Sequence, residues 1–404
     1  MIPHEREVTL EQARDRIHGA LASLDLGWRA HQFGRALHAT VAEIFDDTGK
    51  HIATGTGKGR SEAALVGSLF EAYEHWLSLH HPSSLDHELL GVGAVAGGLG
   101  DPIEAILATQ PGARLACRRY ASLVDGLAAH YPLALAHPLY PGSPVEGDSF
   151  DYTALARYAS NNGTASGATL EEATLHALHE CIERDDVATF LRRQFFEDRD
   201  DPLVILRRDA DLPCVQAVWA DAEDELASRI TLLDVTTHAA ARTFMAFALV
   251  EGRPQHLYGA GCSSSTSHAA CRALAELVQV HTVANVVPSV GEELAREEQR
   301  VRRWPRLHRS CVADLPGLCT RRRLAWSQGM PECPPGAVTT GVDQCVRSLV
   351  SEGFHPVRHV FPAMKESRVT ACQVLVPGFD RFYLASRGGI VVPRSSREAP
   401  HASA

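Results

Sequence analysis

Apolar residues recur at helical spacing in several stretches of this chain. Over 9–24 (TLEQARDRIHGALASL), Leu10, Ala13, Ile17, Leu21 and Leu24 fall on one face and predict a helix. At 39–54 (ATVAEIFDDTGKHIAT) the period changes. An apolar run, a DDTGK turn and a second run predict a hairpin. A glycine-rich loop and a helix from about Ser61 to His80 follow, closed by prolines and serines at 82–84. The apolar, glycine-rich run 89–100 has no clear assignment. Residues 137–169 read as loop. A long helix is expected from about Thr169 to Phe196. Two strands lie within 230–251, and a loop, YGAGCSSSTS, leads into a helix from about Ser267 to Val283. Residues 287–340, rich in Arg, Pro and Cys, show no clean period. VTACQVLVPG and RFYLASRGGIVVP read as two strands joined by a PGFD turn. No Pro/Gly/Ser linker divides the chain, so one large α/β domain is expected. An N-terminal helical segment over 1–38 precedes it, the domain spans 39–395, and 396–404 is read as a disordered tail.

Composition narrows the function classes. The chain has 404 residues, 45% of them apolar and 22% charged, with a formal net charge of -10. That charge disfavours non-specific nucleic-acid binding, which needs a basic face. No stretch approaches the roughly 20 apolar residues of a membrane span. The first 20 residues contain no apolar core of a secretory signal, so a cytoplasmic protein is expected. None of the ten cysteines forms a CxxC pair. Cys311, Cys319 and Cys333 fit no standard zinc spacing, and reduced, mostly buried thiols are the better reading.

One pattern occurs three times. A Gly- or Ser-rich stretch enters a helix that reads A-x3-[AS]-x2-E-x2-[EQ]. The first copy carries Ala64, Ser68, Glu71 and Glu74, and the second Ala173, Ala177, Glu180 and Glu183. The third carries Ala269, Ala273, Glu276 and Gln279. Residues three apart share a helix face, so each paired carboxylate repels its neighbour. Low dielectric strengthens that repulsion. A divalent cation converts it into a ligand set, and magnesium takes carboxylates together with substrate phosphates. A single E-x-x-E is ordinarily a solvated face; three copies of one unit point to a ligand cradle. GTGKGRS and GCSSSTS precede helix starts, where free N–H groups favour anions. Neither is a Walker A loop. Lys58 and Arg184 are cations placed to neutralise phosphate, or else a solvated lysine and an ion-pair partner.

SNNGTASGATLEEATLHALHECIERD resembles the central motif of YcaO-domain proteins, in which an SNGxASG-type loop leads into a helix ending ExxER. The first copy resembles that family's GKG…SxxxExxER segment, and the third its G-x-G…RAxxExxQ segment. With VLVPGFDRFYL, the resemblance runs from about residue 40 to 397. It implies a YcaO-type α/β fold of mixed sheets and helices, with ATP held between three carboxylate-bearing helices. By the same resemblance, Glu71, Glu74, Glu180 and Glu183 bind Mg2+. Glu172, Arg184, Glu276 and Gln279 join them in the nucleotide site, to which Lys58 is added as the loop cation placed for phosphate. The chain departs from the family at His75, where an arginine is usual, at Gly67 for a serine and at Ala168 for an asparagine. It also lacks the PxPxP ending of azoline-forming members.

The implied chemistry is ATP-dependent O-phosphorylation of a peptide backbone amide, with the protein mainly positioning reactants. The first reading is cyclodehydration of Cys, Ser or Thr to azolines in a ribosomally made peptide. The second is thioamide or amidine formation by the same activation. The third is a non-catalytic accessory subunit. A precursor peptide is the expected substrate, delivered by an E1-like, leader-binding or TfuA-like partner, and homodimerisation is left open. No residue is singled out as catalytic. His176 and His179 flank the carboxylates, with structural roles preferred.

Overall fold

The computed structural model describes residues 2–197, 199–208, 212–250, 257–321, 324–326, 338–362 and 368–380. The expected strand RFYLASRGGIVVP, the tail 396–404 and Cys333 lie outside these residues.

Three sheets carry the helices. The first is antiparallel, in the order β1 (Gly27–Phe33), β2 (His38–Phe45), β3 (His51–Gly59). The predicted hairpin is its β2–β3 pair. The Asp46 carboxylate closes the turn, accepting from the Thr48 and Lys50 N–H groups at 3.0 and 2.9 Å. β1 was not expected, because GWRAHQF has neither an apolar run nor alternation, and its side chains are mostly exposed. The second sheet comprises β4 (Glu88–Gly91), β5 (Arg114–Ser122), β6 (Ala128–Pro132) and β7 (Thr164–Gly167), together with β13 (Val357–Val360) and β14 (Thr370–Leu375). Its order is β4-β5-β13-β14-β7, with β6 also on β5. The third comprises β8 (Leu203–Ile205), β9 (Ile230–Asp234), β10 (Arg242–Ala248), β11 (Tyr258–Ser263) and β12 (Leu324–Trp326). It runs β11-β10-β9-β8-β12.

The helices are α1 (Leu10–Ser23), α2 (Ser61–Leu79), α3 (Asp101–Ala108), α4 (Leu133–Ala136), α5 (Leu170–Phe195) and α6 (Pro213–Leu226). α7 (Thr266–Val286), α8 (Pro288–Val301), α9 (Pro305–Cys311), α10 (Leu315–Arg321) and α11 (Val338–Ser351) complete the set. α1 starts in a capping box: the Thr9 hydroxyl accepts from the Gln12 N–H, and the Gln12 side chain accepts from the Thr9 N–H. Its Ile17, Ala20 and Leu21 enter one core with Ala42 and Ile44 of β2 and Leu69, Ala72, Tyr73 and Leu77 of α2. α5 packs Ala173, Ala177, Leu178, Cys181 and Ile182 against Cys372 and Val374 of β14. α7 buries Ala270, Ala273, Leu274, Leu277 and Val278 with Phe244 and Ala246 of β10. α8 and α9 occupy a region where the sequence shows no period. Both have proline at their starts, where the missing N–H costs nothing.

The stretches GTGKGRS and YGAGCSSSTS are corrected by this fold. Residues through Gly59 and Ser263 belong to β3 and β11, so the glycines sit in strands. A Cβ on Gly55 would lie 2.1 Å from the Ala72 nitrogen and 2.5 Å from the Ser68 oxygen. One on Gly57 would lie 1.8 Å from the Ala64 oxygen. The third unit repeats the geometry: Gly259 meets Leu277 N at 2.2 Å and Ala273 O at 2.4 Å, and Gly261 meets Ala269 O at 2.3 Å. The small residues of A-x3-[AS] are thus the line along which a helix backbone lies directly on a strand backbone. Any side chain on these glycines would force helix and strand apart. The middle unit differs. Gly163 turns with φ +74, its would-be Cβ 2.1 Å from the Val374 oxygen, and leads into the four-residue β7.

Candidate functional site

β3–α2, β7–α5 and β11–α7 bring the carboxylates of the three repeats together. Glu71 and Glu74 lie one turn apart on α2, half-buried, as is Glu180 on α5. Glu183, one turn along α5, is buried. Glu276 projects from α7 and pairs with Lys58 at the end of β3. The Thr56 hydroxyl donates to Glu71 at 3.0 Å. The Ser166 N–H of β7 donates to Glu74 at 3.1 Å, while the Ser166 hydroxyl holds the Phe70 carbonyl at 2.9 Å. These two bonds tie the middle strand to the first carboxylate helix.

The electrostatics separate five carboxylates into two kinds. Burial pushes the Glu74 pKa well up, and the charges of Glu180 and Glu71 push it further. Burial likewise raises Glu180 to about 7, with Glu183 and Glu71 adding to the rise and Arg184 opposing it. Glu183 is raised by burial and by Glu276. Glu71 is raised by burial, against His75, Thr56 and Lys58. Glu276 alone moves down: burial is outweighed by Lys58 and Arg184. Four carboxylates therefore crowd together with too little positive charge, and one is neutralised by lysine.

That donor set fits a cation. Among the described residues no three His, Cys, Asp or Glu side chains are gathered into a ready-made metal shell. Magnesium does not require one, because it keeps waters and uses one or two carboxylates with substrate phosphates. Glu74, Glu180, Glu183 and Glu71, whose mutual repulsion a cation relieves, are the residues that would hold it. Arg184 is exposed and stands 4.0 Å from Glu180, an ion pair of the ordinary i,i+4 kind. Gln279 is buried one turn beyond Glu276. Glu172 is placed otherwise. It is buried two turns before Glu180, and its carboxylate accepts from the Glu7 N–H at 2.5 Å and the Ala168 N–H at 3.0 Å. The carbonyl of the same Ala168, where the family resemblance expects asparagine, also accepts from Arg16 at 2.5 Å. Gly67 is exposed, one turn before Glu71 on α2. His75 Nδ1 donates to the Thr54 carbonyl, 2.7 Å away, so it links α2 to β3.

Further residues surround the site. Arg272 of α7 approaches His176 Nδ1 at 3.4 Å. Burial, with Arg272 and Arg6, holds the His176 pKa well below its usual value, so the ring is neutral. The chain start reaches in through Glu5, 3.5 Å from His179. Behind Glu183, Asp185 and Asp186 are fully buried. Asp185 bonds His238 Nε2 at 2.7 Å and the Asp380 N–H at 2.6 Å. Asp186 accepts from the Thr237 N–H at 2.8 Å and the Thr243 hydroxyl at 2.6 Å. The other ring nitrogen of His238 meets Glu352 at 2.6 Å. Burial lowers the His238 pKa, but the Asp185 bond and neighbouring carboxylates outweigh it and raise it to about 9. An imidazolium thus locks the far face of α5 to α11 and to the PGFD turn. The nine described cysteines form no disulfide, and burial raises the Cys311 and Cys319 thiols, so both stay protonated.

The chain superimposes on a heterocyclase solved in complex with substrate and cofactor, with a TM-score of 0.67 at 19% identity. That match covers 95% of this chain and 54% of the other. The YcaO protein of Methanopyrus kandleri, solved with AMPPCP and Mg2+, matches over 93% of both chains with a TM-score of 0.66 and 15% identity. The E. coli microcin synthetase McbBCD complex matches with a TM-score of 0.59 at 10% identity, over 91% of this chain and 93% of that one. These likenesses establish a shared fold. In sequence, an uncharacterized protein in the tfuA 3' region of Rhizobium leguminosarum bv. trifolii is 29% identical over 245 residues, 55% of this chain. The chain spans about half the length of that curated relative, 52%. Among the described residues no helix is long and apolar enough to cross a membrane. The family model for YcaO cyclodehydratases, ATP- and Mg2+-binding, matches residues 56–380, a span containing all three carboxylate helices, and this chain therefore belongs to the YcaO family.

Proposed function

We propose that this chain is an ATP- and Mg2+-dependent enzyme that activates a backbone amide of a ribosomally made peptide. The observation that carries the reading is the convergence of Glu71, Glu74, Glu180 and Glu183 from two helices into one cation-deficient cluster, beside the Lys58–Glu276 pair. ATP, when bound, supplies the phosphoryl group that turns an amide oxygen into a leaving group. Glu74, Glu180, Glu183 and Glu71 hold the metal charge against the phosphates. Lys58 fixes Glu276 at the edge of the cluster, and Arg184 and Arg272 add positive charge on α5 and α7. The neutral ring of His176 lies against Arg272 and adds no charge of its own. The protein's contribution is positioning and electrostatic stabilisation.

The product we assign first is an azoline, from attack of a Cys, Ser or Thr side chain on its own preceding amide. A second reading, a thioamide, is favoured by one observation: the Rhizobium relative is encoded beside tfuA. Under either reading a partner protein delivers the precursor peptide, leader-binding or E1-like for azolines and TfuA-like for thioamides. A peptide labelled with 18O in its backbone carbonyls tests the mechanism. The label moves into released phosphate, and the peptide gains no phosphate. Loss of water marks an azoline, and exchange of oxygen for sulfur marks a thioamide. A stable phosphopeptide, or modified peptide with unlabelled phosphate, refutes amide activation.

A further inference from the structure

The segment ahead of α1 is held against β11, α7 and α5 at two points. Glu5 has a left-handed backbone, φ 57, uncommon for a residue with a side chain. Its carboxylate, 7% exposed, accepts from the Ser263 hydroxyl at 2.5 Å and the Ser264 hydroxyl at 3.5 Å. It lies 3.5 Å from His179 Nδ1, 3.8 Å from His268 Nε2 and 3.9 Å from His4 Nε2. It thus bridges the end of β11, the first turn of α7 and the middle of α5. Two residues on, the Glu7 N–H binds the Glu172 carboxylate at 2.5 Å.

Arg6 lies between these anchors. Its side chain is reached by solvent, yet Glu172, Arg272 and Glu5 all act on its charge. Among the described residues it forms no ion pair with a carboxylate. Its guanidinium donates only to the Glu5 carbonyl, at 3.2 Å. Glu172 already accepts two backbone N–H groups, so it is a poor fork partner for Arg6. Arg272 is near enough to act on the Arg6 charge, and among the described residues its Nε is buried without a hydrogen-bond partner. Two guanidinium groups that repel each other, held beside a cleft by a strained and buried glutamate, are stabilised by an anion between them.

We propose that residues 4–7 form a strap, latched by Glu5 and Glu7, that presents Arg6 opposite Arg272 to the phosphates of the bound nucleotide. The inference rests on the placement of the nucleotide in the carboxylate cleft. Arg6 is a binding residue, and Glu5 is a positioning residue that acts through it. Titration calorimetry with Mg-ATP, and displacement of a fluorescent nucleotide by adenosine, separate phosphate contacts from the rest. Arg6→Ala weakens Mg-ATP binding by about tenfold, the scale of one charge-assisted contact, and leaves adenosine unchanged. Arg6→Lys restores part of the loss. Glu5→Gln weakens Mg-ATP in the same direction, and Mg-ATP no longer protects the Arg6 bond from trypsin in that variant as it does in the wild type. Arg6 is exposed, so its variants are expected to fold, and unchanged melting temperatures establish that they do. Wild-type affinity for Mg-ATP in Arg6→Ala, or equal losses of ATP and adenosine, overturns the strap. Failure of the wild type to bind Mg-ATP overturns the cleft assignment, and the strap with it.

Discussion

Glu180→Gln is the sharpest probe of the cluster, because it keeps the side chain's shape and removes one charge. Burial and the neighbouring Glu183 and Glu71 raise the Glu180 pKa to about 7 from an ordinary 4.5. A group raised in the folded state contributes stability that is fully present below its unfolded pKa and lost as pH rises through the folded one. In this case the loss falls between about pH 4.5 and 7. Each unit is worth about 1.4 kcal/mol, so the full effect is about 3 kcal/mol. Glu180 is 26% exposed, and screening brings the expectation to about 1–2 kcal/mol. Without metal at pH 8, Glu180→Gln is therefore more stable than wild type by about that amount. For a chain of this length the gain is about 1–2 °C in melting temperature. The advantage shrinks toward zero at pH 5, where the native carboxyl is protonated. Taking the difference between variant and wild type cancels the other titrating groups. With Mg-ATP the order reverses, since a ligand that binds only the folded state stabilises the chain with the intact site more. Differential scanning fluorimetry at pH 5 and 8, with and without Mg-ATP, reads all four states. A variant less stable than wild type at pH 8 without metal would mean that Glu180 is not in a repulsive cluster.

Further outcomes follow from other parts of the structure. Glu183→Gln, also relieved of repulsion, weakens Mg-ATP binding by calorimetry; unchanged affinity would make Glu183 structural. Gly57→Ala places a Cβ 1.8 Å from the Ala64 oxygen and costs several kcal/mol, about 3 or more, seen as a fall in melting temperature. Gly67→Ala, with open space around it, raises stability by about 0.5–1 kcal/mol. His238→Ala leaves Asp185 and Glu352 without their cation and costs about 3–5 kcal/mol. Because the His238 pKa is raised to about 9, its contribution is complete below about pH 6.5 and is lost as pH rises through 9. A melting temperature of the wild type that climbs from pH 6.5 to 9, with His238→Ala unchanged, would contradict this.

The three carboxylate helices were legible because their apolar positions and their E-x-x-[EQ] stripes share one period. The hairpin β2–β3 was legible from a turn sequence between apolar runs. The glycines of β3 and β11 were misleading, because glycine in a sequence ordinarily marks a loop. Their role in the fold is a contact with a helix backbone that no local pattern encodes. α8 and α9 were hidden by prolines that begin helices rather than break them. Glu5 and Arg6 were invisible for a different reason: Glu5 meets Ser263 across 258 residues, and short-range periodicity is blind to such a pairing. The His238 clamp was equally silent, since its partners, Asp185 on α5 and Glu352 just past α11, lie far apart in the chain.

The glycine seams have a consequence for motion. Packed elements commonly adjust to a ligand by shear, in which interlocked side chains hop between rotamers while one element slides. β3 against α2 and β11 against α7 offer no such cushion, because main chain lies on main chain at Gly55, Gly57, Gly259 and Gly261. Each strand and its helix must travel as one plate. Glu71 and Glu74 ride on one plate, Glu276 on the other, and Lys58 bridges the gap between them. Adjustment to a nucleotide then falls to what is held by side-chain polar contacts: the N-terminal segment, and the Ser166 bonds that tether β7 to α2.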